Sequence, residues 1–201
     1  MTARTVVLTG GPGAGKTAVL ELIRRSMCEH VKLVPESAGI VFGGGFPRTG
    51  VPAVRRAAQR AIFYVQRELE QIAREDGATI LLCDRGTVDG AAYWPGPGEL
   101  WPTIGTTLDE QLARYDVVIH LRVPALDGGY NLRNPLRIET AAEAASIDDR
   151  IARAWARHPR RFEVPASADF LIKAARAIEL LRAELPAGCR DHAGVGASSG
   201  S

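Results

Sequence analysis

Five short apolar runs are spaced along the chain, and between them lie longer stretches with an apolar residue at every third or fourth position. Residues 5–9, 31–34, 79–83, 117–121 and 161–164 read as strands. The third is apolar at every position from Ile80 to Cys83, the pattern of a strand covered on both faces of a parallel sheet. Helical spacing predicts helices over 16–28 (Val19, Ile23, Met27), 53–76 (Ile62, Val65, Leu69, Ile72) and 107–115. It predicts two more over 140–155 (Ile147, Ile151, Trp155) and 168–185 (Phe170, Ala174, Ile178, Leu181, Leu185). Strand and helix alternate, which predicts an α/β fold with a parallel sheet and helices on both faces.

The pattern breaks in four places. Residues 39–52 contain Gly43-Gly44-Gly45, Pro47, Gly50 and Pro52 and read as a mobile flap on the substrate side. Residues 93–102, with three prolines, two glycines and two tryptophans, read as a loop. Residues 122–138, with Pro124, Gly128-Gly129 and Pro135, read as a lid. From Pro186 onward Gly, Ala and Ser dominate, and 186–201 is expected to be a disordered tail. One domain is expected over 1–185.

The break between the first strand and the first helix carries the chemistry. Gly10-Gly11-Pro12-Gly13-Ala14-Gly15-Lys16-Thr17 has the form G-x-x-x-x-G-K-[ST], a phosphate-binding loop. Its four glycines let the backbone curl and turn its N–H groups inward. Lys16 can reach the β- and γ-phosphates, and the Thr17 hydroxyl can ligate Mg²⁺. The following helix, from Lys16 through Ala18 onward, points its positive end at the anion. Gly10 to Ala18 are therefore the expected nucleotide contacts, with ATP or GTP and Mg²⁺ as cofactors.

Ligands on such sheets sit at the carboxyl ends of the strands. That rule brings Glu36, Asp84-Arg85 and the segment after Leu121 beside the loop. Asp84 can serve Mg²⁺ through water or take a proton from an attacking hydroxyl. Glu36 can accept that proton from across the cleft. Arg85 can hold a phosphate, and Arg133 and Arg137 in the lid can neutralise charge on a transferring phosphoryl group. Gln59, Tyr64 and Gln66 lie on the helix after the flap, where an amide could read a base or sugar edge. Arg150, Arg153 and Arg157 read as a solvated helix face. His120 reads as a core histidine, and Trp94 and Trp101 as loop packing.

Composition narrows the partners. Of 201 residues, 46% are hydrophobic and 24% charged, ordinary for a soluble globular protein. A net charge of +2 argues for neither nucleic acid nor membrane as the main partner. Cys28, Cys83 and Cys189 are far apart without metal-ligand spacing, which suits a reducing cytoplasm. The chain runs straight into a strand and has no apolar run long enough to span a bilayer, so neither a leader nor integral membrane association is expected.

The ordered set GGPGAGKT (from Gly10), VPES (from Val34), LLCDRGTVDGAAYW (from Leu81) and YDVVIHL (from Tyr115) resembles a family of P-loop kinase-like proteins. NPLRIE (from Asn134) and WARHPRRFEVP (from Trp155) extend the resemblance. The family is related to the ribosylnicotinamide kinase domain of NadR and is often labelled AAA-type ATP- or GTP-binding. The resemblance implies a three-layer nucleoside- and nucleotide-kinase-like fold with strand order 2-3-1-4-5 and a lid. It also implies a glutamate after strand two at Glu36, an acid-arginine pair at Asp84-Arg85, and a nucleotide base near 165–167. The expected activity is Mg²⁺-dependent transfer of the γ-phosphoryl of ATP or GTP to a hydroxyl of a small, nucleoside-like molecule. A nucleotide-switched regulatory protein with slow hydrolysis is the alternative.

Overall fold

The computed structural model describes residues 3–26, 30–123, 140–167 and 169–190. Five parallel strands form one sheet: β1 (Arg4–Thr9), β2 (Val31–Val34), β3 (Ile80–Asp84), β4 (Val117–Leu121) and β5 (Arg161–Val164). Their order is β2-β3-β1-β4-β5, the order that the resemblance implies. Each strand ends within a residue or so of its expected position, because apolar runs bounded by turns and charges mark them well.

Alternate residues of the central strands point into two separate cores, which is why those strands read as unbroken apolar runs. Val6, Leu8, Ile80, Leu82, Val117 and Ile119 pack with Val19 and Ile23 of α1 (Lys16–Ser26) and with Ala174 and Leu181 of the C-terminal helix. Val7, Leu81, Cys83 and Val118 pack on the other face with Phe63, Ile151 and Trp155. Cys83 and His120 are wholly buried, as core residues should be.

The connections are more helical than the glycines and prolines suggest. Residues 37–43 form α2 (Ser37–Gly43), so the flap expected over 39–52 is irregular only from Gly44 onward. The long α3 (Pro52–Glu75) follows, with proline in its first turn, where no N–H partner is lost. After β3 come a 3₁₀ turn (Thr87–Asp89), α4 (Gly90–Tyr93) and α5 (Leu100–Thr103). The loop expected over 93–102 therefore ends early. Leu100 and Trp101 are buried and anchor α5, and Pro102 lies in its first turn.

Helix α6 (Leu108–Leu112) has a Thr107–Glu110 capping box. Helix α7 (Ala141–Ala154) has a matching Thr140–Glu143 box. α8 (Phe170–Glu184) starts at an Asp169 cap, and the short α9 (Ala187–Arg190) follows where the sequence suggested only a tail. Of the lid expected over 122–138, residues 124–138 lie outside the described residues, as does the end of the tail.

Candidate nucleotide-binding and transfer site

The site forms where β1, β3 and β4 stop. Parallel register sets Leu8 beside Asp84, Thr9 beside His120 and Val34 beside Cys83. One residue beyond Thr9 the chain enters the glycine loop, with φ of 142° at Gly10, 83° at Gly13 and 92° at Gly15. A Cβ at Gly10 would sit 2.2 Å from the Leu121 carbonyl oxygen, so only glycine fits against the end of β4. Pro12 and Gly13 are partly exposed at the loop crest, and Thr17 and Ala18 are exposed in the first turn of α1.

Lys16 is buried, and its ammonium donates to the carbonyls of Gly10 at 2.9 Å and Gly11 at 3.2 Å. Burial, seconded by the nearby Arg85 charge, lowers its pKa to about 8. Asp84, Glu36 and Asp89 oppose that shift, which places three carboxylates around one lysine.

Arg85 lies on the other side of the same carbonyl. Its Nε donates to Glu36 Oε1 at 2.6 Å and its Nη1 to the Gly10 carbonyl at 3.1 Å. The guanidinium also stands over the Tyr93 ring at 5.5 Å. Among the described non-glycine residues, Arg85 alone has positive φ, 72°. That backbone costs about 1–3 kcal/mol, and the three engagements of the side chain hold it there.

Asp89 sits beneath Arg85, with its Oδ1 3.6 Å from Nη1. It also accepts from Thr9 Oγ1, from the Gly86 amide at 2.9 Å and from Trp155 Nε1 at 3.3 Å. The turn after β3 is thereby pinned to the last residue of β1.

The two candidate acids differ. Burial pushes the Glu36 carboxyl up, but Arg85, Lys16 and the flap residue Arg48 outweigh it and hold Glu36 below its usual range. Burial raises Asp84, helped by Glu36 and Asp89 and opposed by Lys16 and Arg85. Asp84 Oδ1 is buried with no hydrogen-bond partner among the described residues. A carboxylate oxygen left so beside a phosphate loop suits a hydrated cation.

Other candidates scatter. Gln66 is buried and donates to Glu70 within the core, while Tyr64 is half-exposed on the outer face of α3. Gln59 is buried and lies beside Gly90. Trp101 is core, and Trp94 packs on that core beneath Arg56. Arg150 and Arg153 are exposed, and Arg157 pairs with Asp109 at the surface. Arg133 and Arg137 lie outside the described residues.

Sequence reasoning passed over Arg48 and Asp148, and it reached Asp89 only as a possible ion-pair partner of Arg85. Asp148 accepts the Gly11 amide at 2.8 Å and His120 Nε2 at 2.8 Å. Its local signal was slight: it is the first of two adjacent acids on a helix, in register with the apolar Ala144, Ile151 and Trp155.

The sheet order and the glycine loop give the chain the P-loop fold of the nucleoside- and nucleotide-kinase-like kind. An AAA domain family model matches residues 5–170, and the chain belongs to that family. No curated protein matches it in sequence. Among solved structures it is similar to NadR in complex with NR, at 15% identity over 90% of this chain and 51% of that one, with a TM-score of 0.68. It is also similar to deoxyadenosine kinase from M. mycoides with bound dATP, at 12% identity over 89% and 98% of the two chains, TM-score 0.59. Thymidylate kinase from Candida albicans is a third, at 13% identity over 91% and 92%, TM-score 0.58. At such identities the likeness concerns the fold.

Proposed function

We propose that the chain is a Mg²⁺-dependent phosphotransferase that moves the γ-phosphoryl of ATP or GTP to a hydroxyl of a small, nucleoside-like acceptor. The observation that carries this reading is the convergence of Lys16 and Arg85 on the Gly10 carbonyl, with Glu36 bonded to Arg85. A cation pair at the mouth of a glycine loop, with a carboxylate beyond it, suits a phosphoryl group passing outward to an alcohol.

Loop residues 10–18 hold the triphosphate. Lys16 neutralises its outer oxygens, and Arg85 takes up the charge that develops as the phosphoryl moves. Thr17 and Asp84 are the residues that would hold Mg²⁺, Asp84 through water. Bound there, the metal would neutralise β- and γ-oxygen charge. Glu36, kept ionised by Arg85, is the preferred proton acceptor for the attacking hydroxyl, with Asp84 as the other candidate. Arg133 and Arg137 are proposed to close over the group in transfer. The kinases of nucleosides and nucleotides among the structural neighbours support this class of substrate.

The test is transfer of labelled phosphate from ATP or GTP across a panel of nucleosides and vitamins. One product that disappears with Glu36→Gln, while nucleotide still binds, supports the reading. No transfer to any acceptor, together with flap proteolysis that differs between triphosphate and diphosphate, replaces it with the nucleotide switch.

A further inference from the structure

Two buried charged side chains reach the phosphate loop from behind, one from α7 and one from α8. Asp148 is 2% exposed and Lys173 is 4% exposed. Asp148 accepts the Gly11 amide on Oδ1 at 2.8 Å and the Val123 amide on Oδ2 at 3.2 Å. Lys173 donates to the Ala14 carbonyl at 2.8 Å and to the Arg122 carbonyl at 2.5 Å.

The two roles are complementary. Asp148 joins a donor of the loop to a donor just past β4. Lys173 joins an acceptor of the loop to an acceptor just past β4. His120 Nε2 at 2.8 Å and Arg122 Nε at 3.0 Å complete the surroundings of Asp148.

Charge-assisted hydrogen bonds in a dry interior are strong and directional, and leaving one partner unpaired there is costly. The loop can therefore shift against the end of β4 only by breaking them. Glycine at position 11 is the steric counterpart, because a Cβ there would meet Val123 Cγ2 at 2.7 Å, Asp148 Cβ at 2.8 Å and the Ala144 carbonyl oxygen at 2.9 Å.

Burying an ammonium and a carboxylate is expensive, and neutral side chains could satisfy the same backbone groups more cheaply. The cost is visible at Lys173, whose pKa burial lowers to about 8. What a charged pair supplies and a neutral one does not is stiffness at a defined place.

We propose that Asp148 and Lys173 are positioning residues for the phosphate loop, fixing Gly11 and Ala14 to the end of β4 so that the loop is preset for a triphosphate. The fixing stands on geometry alone, and its consequence for affinity rests on the nucleotide-binding reading above.

The test compares amide hydrogen exchange and calorimetry with magnesium ATP and magnesium GTP across wild type, Asp148→Ala, Asp148→Asn and Lys173→Met. Asparagine keeps an acceptor for Gly11 and loses the charge. The alanine and methionine variants should raise exchange in the 10–15 segment at least tenfold, with β3 unchanged. They should weaken the bound nucleotide at least tenfold, and Asp148→Asn should recover part of both effects.

Exchange that rises equally over β3 and the loop would assign the pair to general stability and overturn the proposal. So would loop exchange equal to wild type, or affinity within twofold of wild type despite a loosened loop. If wild type takes up neither nucleotide, the nucleotide reading fails, and the exchange comparison still decides whether the pair fixes the loop.

Discussion

Arg85 Nε donates to Glu36 Oε1 at 2.6 Å while Nη1 of the same guanidinium donates to the Gly10 carbonyl at 3.1 Å. One planar fork thus ties the end of β2 and the turn after β3 to the start of the phosphate loop. Lysine cannot reproduce it, because an ammonium is a point donor on a flexible stem. Arg85→Lys should lower phosphate transfer by about 100-fold, as loss of a preorganised charge donor does elsewhere. Nucleotide affinity measured by calorimetry should change far less. Equal transfer rates for the two proteins would remove Arg85 from the reaction.

Lys16 and Lys173 give pH dependence of two opposite signs. Burial lowers both to about 8 from an ordinary 10.5. Between pH 8 and 9 the unfolded chain holds these protons and the folded chain gives them up, so stability rises with pH there. Above about 9 the buried Cys83 thiol, and above about 10 the Tyr115 hydroxyl, oppose the trend, since both are raised by burial and ionise first in the unfolded chain. Nucleotide binding needs Lys16 charged and should weaken across the same interval. Thermal melts and titrations from pH 7 to 9 should move in opposite directions. Lys16→Met should abolish the binding titration and leave only the Lys173 share of the rise in stability.

Two glycines separate packing from propensity. Gly11→Ala drives a methyl into Val123, Asp148 and the Ala144 carbonyl, and should cost about 1–3 kcal/mol of stability as an overpacked site does. Gly39, inside α2, has nothing within 4 Å of a built Cβ. Gly39→Ala should add roughly 0.5–1 kcal/mol through helix propensity. Chemical denaturation of the two variants checks both signs.

Glu70 is wholly buried and accepts from Arg114 at 2.5 Å, Tyr115 Oη at 2.8 Å and Gln66 at 3.1 Å. Glu70→Ala strands those donors and should destabilise by about 3–5 kcal/mol. Tyr115→Phe removes the hydroxyl that donates to Glu70 and accepts the buried Thr87 amide at 2.7 Å, and should cost about 1–3 kcal/mol. Equal midpoints in urea for the two would show that the Glu70 carboxylate contributes no more than the tyrosine hydroxyl.

The strands and the phosphate loop were legible because each rests on local pattern: apolar runs, turn residues, and a motif with fixed spacing; the strand order came only from the family resemblance. Glu36, Asp84 and Arg85 were legible through one topological rule about strand ends. Their pairing was not, since residues 36 and 85 meet only when β2 lies beside β3. Asp148 lay further out of reach. It reads as one acid among several on an alanine-rich helix until the fold sets it against Gly11, 137 residues earlier. Helices α2 and α5 were hidden because Gly39, Gly43 and Pro102 carry poor intrinsic propensity, which buried Ser37, Leu100 and Trp101 override.

Asp148 and Trp155 stand seven residues apart on α7 and its C-cap, two helical turns, and so face the same way. One meets the loop after β1 and the other meets Asp89 in the turn after β3. The helix thus works as a ruler laid between two strand ends. A single residue inserted between its two marks would swing one of them by about 100°. In this chain the outer face of α7 is free of that constraint, but changing the count of residues between those marks would lose one of the two contacts.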